Sequence, residues 1–237
     1  MESLQNFSFY LGKNIFQKGW SKFWESKGGL CDEKYESEGI ETFLEKNFKD
    51  KKMSESIKPV VVTSFEVERY KPMNFKSWDD SQQFLSRFAA RSTSAAPTFF
   101  ELARGKHLTS GEKYSCIDGG VINNNPSLIA LTEAKKLFPD ATKFYILSLG
   151  TGKLQDSLNS ESVKDWGTLE WIQPLINLMM EGASQTVHNH LKNLIPKEKY
   201  VRMQIKLNKE LNAMDNTSKE NIENLVKVAE KFVELNK

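Results

Sequence analysis

Tyr114-Ser115-Cys116-Ile117-Asp118-Gly119-Gly120 reads as a short strand that runs into an acidic residue and two glycines. A helix from about Pro126 to Leu137 follows, with Leu128, Leu131, Ala134 and Leu137 in register. Next comes Tyr145-Ile146-Leu147-Ser148-Leu149, an apolar run that reads as a buried strand closed by Gly150-Thr151-Gly152. Strand, helix and strand in succession are the rhythm of an α/β fold. Asp-Gly is also a common turn pair. Its functional reading is a carboxylate at the C-terminal end of a strand, where open α/β sheets place their sites.

The same alternation extends in both directions. Upstream, Ile40, Phe43, Leu44 and Phe48 mark an amphipathic helix. Val60 to Val67 is a β-branched run of the kind buried inside parallel sheets. Ser77-x-x-Asp80 is a capping signal ahead of a helix with Phe84, Leu85, Phe88 and Ala89 on its apolar face, stopped by Pro97. Downstream, the pattern predicts a helix over roughly Leu169–Leu191. Tyr200–Leu207 alternates Val201, Met203, Ile205 and Leu207 with Arg202, Gln204 and Lys206, a strand with one wet face. Thr217-x-x-Glu220 reads as a capping box opening the last helix.

The composition removes several function classes. The 237 residues hold 33 basic and 31 acidic side chains, a net charge of +2, and lysine far outnumbers arginine. Nucleic-acid binding needs a basic excess, and arginine is the better reader of phosphates and bases, so no nucleic-acid partner is expected. Cys31 and Cys116 are too few for a disulfide framework and form no C-x-x-C pair. The apolar runs fall short of the ~20 residues that span a bilayer, and the N-terminus has no signal-peptide pattern. Cytoplasmic is the default placement.

Three further features have structural readings beside functional ones. His188-x-His190 would present its rings on different sides of a helix, so no metal site is expected. Gly150-Thr151-Gly152 lacks the Lys-Ser/Thr of a phosphate loop and reads as a strand-ending turn. Phe16, Trp20, Phe23 and Trp24 form a helical stripe that could touch lipid, although large aromatics are more often core. No cofactor is expected.

Three blocks, in order, resemble the patatin-like phospholipases, a family of lipid acyl hydrolases. They are Arg91-Ser92-Thr93-Ser94-Ala95-Ala96-Pro97-Thr98-Phe99-Phe100, Ile117-Asp118-Gly119-Gly120-Val121-Ile122-Asn123-Asn124-Asn125-Pro126, and Leu147-Ser148-Leu149-Gly150-Thr151-Gly152. Trp166-Gly167 with Trp171, Tyr200-Val201-Arg202 and Met214-Asp215 extend the likeness. The resemblance implies a three-layer α/β/α sandwich, phospholipid or other acyl-lipid substrates and transient contact with a membrane surface. It also implies a Ser–Asp dyad without histidine. Carried over, Asp118 of the Asp118-Gly119-Gly120 motif is the general base. A free Asp, with pKa ~3.9, accepts protons poorly at neutral pH, so the site must be partly desolvated.

The family's Gly-x-Ser-x-Gly elbow and its Gly-rich oxyanion loop do not occur in the 237 residues. Ser92, Ser94, Ser148 and Ser184 do not replace the elbow serine, because none lies on a glycine-flanked strand–turn–helix. The expectation is therefore a single partial patatin-like domain over 1–237, truncated at its N-terminus and carrying the base without the nucleophile. Alone it is expected to be inactive, and poorly soluble or oligomeric without a complementing N-terminal segment. The alternative is a non-catalytic lipid- or protein-binding remnant. The substrate-binding residues have no local sequence code.

Overall fold

The computed structural model describes residues 12, 15, 16, 33–154, 159–208, 211, 213 and 215–236. Trp20, Phe23, Trp24, Cys31 and Met214 lie outside them. Helices and a mainly antiparallel sheet form an α/β fold of the patatin-like kind. The chain divides into two compact units, one within 10–122 and the other within 123–237.

In the first unit, α1 (Glu38–Phe48) precedes the strand β1 (Val61–Glu66). β1 was expected inside a parallel sheet, but it is antiparallel to both neighbours. Four residues, Val67–Tyr70, connect it to β2 (Lys71–Lys76), and a loop that short can only reverse the chain. The buried Glu66 closes this turn. Its carboxylate accepts from the Arg69 backbone N–H at 2.5 Å and from the Ser115 N–H at 3.2 Å. β2 was not legible as a strand, because Lys71, Pro72 and Lys76 break its pattern. Pro72 is tolerated since β2 is an edge strand.

Ser77 does not cap a helix either. Its hydroxyl accepts from the Val60 N–H at 2.9 Å and holds the base of the hairpin. The helix, α2 (Ser86–Thr93), begins later and ends before Pro97. β3 (Ala103–Lys106) and β4 (Lys113–Asp118) complete a sheet in the order β2-β1-β4-β3. Phe75, Phe84, Phe88, Ala89, Ala95 and the free Cys116 form the core against it. Phe88 rests on Gly105, where even a Cβ would intrude on its ring. α1 packs on α2, where Ile40 and Leu44 share a cluster with Ala90 of α2 and with Phe100, and Phe16 stands edge-on to Tyr35.

A single helical turn, α3 (Gly120–Asn123), follows β4. The second unit contains α4 (Ser127–Leu137), β5 (Ile146–Leu149), β6 (Lys153–Leu154), α5 (Ser160–Val163) and α6 (Thr168–Leu194). It continues with β7 (Tyr200–Met203), β8 (Lys206–Leu207) and α7 (Lys219–Leu235). β5 pairs in parallel with β7, and β6 with β8, around a core of Leu131, Leu191 and Tyr200.

Three elements of this unit differ from the sequence pattern. Tyr200–Leu207 is two strands, which pair with different partners. In β7 the faces are also reversed, with Val201 exposed while Arg202 points inward to Ser148, whereas in β8 Leu207 is buried and Lys206 exposed as the alternation expects. β5 is not buried on both faces, since Tyr145, Leu147 and Leu149 are exposed. Ser218 rather than Thr217 caps α7, its hydroxyl accepting from the Asn221 N–H at 3.3 Å.

The glycines of Gly150-Thr151-Gly152 serve this pairing. A side chain at Gly150 would collide with Gln204, and one at Gly152, at φ 108°, with Leu207. The turn lets β5 end and β6 begin directly alongside the β7–β8 stretch.

Candidate active site

Asp118 is the last residue of β4, opposite Ser64 of β1. Its backbone N–H donates to the Ala95 carbonyl at 2.9 Å, which ties the strand end to the Ser94-Ala95-Ala96-Pro97 loop. Two of the three sequence blocks therefore meet at this residue. Ser64 braces the other side, its hydroxyl donating to the Ile117 carbonyl at 2.7 Å.

The two glycines have separate jobs. At Gly119 a Cβ would fall within 2.5 Å of the Thr63 carbonyl oxygen, so only glycine lets the chain pass this close to β1. Gly120 donates its backbone N–H to Asp118 Oδ1 at 2.6 Å and orients the carboxylate. Burial raises the Asp118 carboxyl above its ordinary pKa, and the Gly120 N–H offsets part of that rise. A half-buried carboxylate of raised basicity can take a proton from a neighbouring hydroxyl better than a solvated one.

Gly119→Ala is expected to cost about 1–3 kcal/mol, because backbone rather than a flexible side chain must yield. Gly182→Ala on α6, where a Cβ meets nothing within 4 Å, is expected to stabilise slightly by helix propensity. Thermal melts of the two variants should move in opposite directions.

None of the four serines considered as nucleophiles is on a glycine-flanked strand–turn–helix: Ser92 and Ser94 flank the loop beside Asp118, and Ser148 and Ser184 belong to the second unit. Ser92 is fully buried, and Ser94 donates to the Ala90 carbonyl at 2.8 Å at the end of α2. Ser148 and Ser184 are buried in a polar network of the second unit that no local pattern announced. Asn125 Oδ1 accepts from the Ser127 backbone N–H at 3.2 Å, from Ser127 Oγ at 2.6 Å and from Ser148 Oγ at 3.3 Å. Arg202 donates through Nη1 to Ser148 Oγ at 2.8 Å and through Nη2 to Ser184 Oγ at 3.4 Å. The network joins the Asn-Asn-Pro segment after Gly120 to the Leu147–Gly152 block.

One signal could have exposed Arg202. In a chain so rich in lysine, arginine marks places that need its planar fork. Arg69, Arg87, Arg91 and Arg202 all hold hydrogen bonds with it. Of the two histidines weighed as ligands, His188 is hydrogen-bonded through Nδ1 to the Tyr200 hydroxyl at 2.9 Å, and His190 is exposed. Among the described residues no three His, Cys, Asp or Glu side chains cluster.

Comparison with known proteins defines the class. Residues 5–131 match the family model of the patatin-like phospholipases, a segment that includes Asp118-Gly119-Gly120. The chain is 28% identical over 239 residues to Patatin-like protein 1 of Arabidopsis thaliana, covering 86% of this chain and 57% of that protein. It is 29% identical over 235 residues to Patatin-like protein 2 of the same plant, covering 86% and 58%. With Patatin-like protein 2 of Oryza sativa subsp. indica the identity is 26% over 271 residues, covering 99% and 67%. These similarities define a family of lipid acyl hydrolases. The chain belongs to it, as a patatin-like phospholipase family member. It spans a little under three fifths of the two Arabidopsis relatives.

Proposed function

We propose that this chain carries the proton-accepting part of a Ser–Asp lipid acyl hydrolase, with Asp118 as the general base. The observation that carries the reading is the Asp118 carboxyl itself. It is half-buried at a strand end, raised in pKa by burial and oriented by the Gly120 N–H. In the proposed reaction a serine hydroxyl attacks the ester carbonyl of a phospholipid or other acyl lipid while its proton passes to Asp118. Collapse of the tetrahedral oxyanion expels the alcohol, which takes that proton, and leaves an acyl-serine. Water then attacks the acyl group, Asp118 accepts its proton, and the serine leaves with that proton as the fatty acid departs.

The nucleophile is assigned to polypeptide outside these 237 residues, since they contain no Gly-x-Ser-x-Gly. Both compact units are read as parts of one patatin-like domain, because the family match at 5–131 runs from one into the other. The exposed apolar face of β5, with Leu147 and Leu149, supports the assignment of further polypeptide to the domain, as parallel strands are normally covered on both faces.

The test has two arms. The 237-residue chain is expected to show no turnover of a short-chain p-nitrophenyl ester. In-frame sequence upstream of the Met1 codon is expected to encode a Gly-x-Ser-x-Gly elbow, and the extended protein to hydrolyse the ester with sensitivity to a serine-directed inhibitor. Inhibitor-resistant turnover by the 237-residue chain that vanishes in Asp118→Ala would place the nucleophile elsewhere. A folded, elbow-bearing protein without hydrolysis would overturn the reading.

A further inference from the structure

The N-terminal half of α6 is apolar on its outer side. Successive helical turns bring Trp171, Ile172, Leu175, Leu178 and Met179 to one side. Ile172, Leu175, Leu178 and Met179 on that side are exposed to solvent by 43–49%. Farther along the helix the same side carries Gly182, Thr186, Asn189 and Asn193, while buried Ser184 and Leu191 face inward. The apolar patch is therefore confined to the first turns. Trp166 packs edge-on against Trp171, with ring centroids 5.2 Å apart. The two indoles border a shallow hollow of about 480 Å³ that reaches Leu175. Residues 171–180 carry no charged side chain, and Glu170 and Glu181 bracket them.

We propose that this face docks on a lipid bilayer. Trp166 and Trp171 sit at headgroup level, and Ile172, Leu175, Leu178 and Met179 enter the upper acyl region. The inference rests on the lipid-hydrolase reading for its choice of occupant, because a protein acting on membrane lipids must first meet their surface. Two physical points favour the bilayer over a second protein. The four aliphatic side chains expose on the order of 350 Å² together, well under the ~800 Å² each partner contributes to a stable protein interface. Indole pairs beside aliphatic side chains match the chemistry of a membrane interface, where one end of the ring is apolar and the other wet. No helix among the described residues is long and apolar enough to cross the bilayer, so α6 lies in the interface plane. With a chain charge of only +2 and an uncharged patch, contact with neutral lipid needs no electrostatic attraction.

The test is co-sedimentation of the 237-residue chain with phosphatidylcholine vesicles, which needs no hydrolysis. Binding is expected to change less than twofold between 50 and 500 mM salt. Leu175→Asp with Met179→Asp is expected to weaken it at least tenfold, with an unchanged circular dichroism spectrum, whereas Thr186→Asp, farther along the same face, leaves it intact. In the unsubstituted chain, tryptophan emission should be quenched by lipids brominated near the headgroup end of the acyl chain. Absence of binding, or equal binding by the double variant, overturns the proposal. So does concentration-dependent self-association without vesicle binding, lost in the same double variant, which would make a second copy the occupant. Vesicle binding with no hydrolysis by the extended protein removes the catalytic reading alone. Hydrolysis of a soluble ester without vesicle binding removes only the docking face.

Discussion

Asp118→Asn is expected to lower ester hydrolysis by the extended protein about 10²–10⁴-fold, the usual contribution of a general base, while raising the melting temperature of the 237-residue chain at pH 7. Both effects have one cause. Burial raises the carboxyl's pKa in the folded state, so folding disfavours its charged form. Below the unfolded value of ~3.9 the group is protonated in both states and costs nothing. As pH rises through the folded pKa the native state must ionise in place, and stability is lost. Asn removes that cost and keeps an oxygen to accept from the Gly120 N–H, but it cannot take a proton. The gap in melting temperature should therefore be present at pH 7–8 and close towards pH 3.5. A variant that melts below the parent at pH 7 would mean the carboxylate stabilises the fold. Near-parental hydrolysis would remove Asp118 from the mechanism.

The strand-end placement of Asp118 was legible in the sequence because the strand and its two glycines are contiguous. Ala95, Ser64 and Thr63, which brace it, were not legible. Strand direction was not legible. The Val60–Val67 run is apolar enough for either kind of sheet, and its antiparallel pairing follows from a four-residue connection to a strand that lysines and Pro72 disguise. At Val201 and Arg202 of β7 the alternation predicted the reverse of the observed faces, for a different reason. Period-two reasoning assumes an apolar core behind the strand. Here the space behind β7 holds buried serines and Asn125, so Arg202 turns inward and Val201 outward. The buried serine partners of Arg202, Ser184 and Ser148, lie 18 and 54 residues away. No windowed pattern can register contacts at that separation.

That network supports the second large effect. Asn125→Ala is expected to destabilise the unit formed by residues 123–237 by about 2–4 kcal/mol, because a buried group left without its partner costs ~1–3 kcal/mol. Asn125 is 1% exposed and its Oδ1 serves three donors. Ser127 and Ser148 can still bond to each other at 2.6 Å after the change. The Ser127 backbone N–H cannot be rescued the same way, since the first turn of a helix offers it no carbonyl. A cavity adds to the loss. Arg202→Met should cost far less, about 1 kcal/mol or under. Arg202 is only partly buried, and replacing a desolvated cation by an apolar side chain of similar length is often near neutral. The order of the two variants therefore separates a network organised by Asn125 from one organised by the charge. Thermal melts, with hydrogen exchange at the Ser127 amide, read it directly. A drop in melting temperature of about 4–16 °C is expected for Asn125→Ala, at ~2–4 °C per kcal/mol for a chain of this size, together with loss of protection at Ser127. If Arg202→Met proves the more damaging of the two, the guanidinium holds β5, β7 and α6 together and Asn125 is secondary.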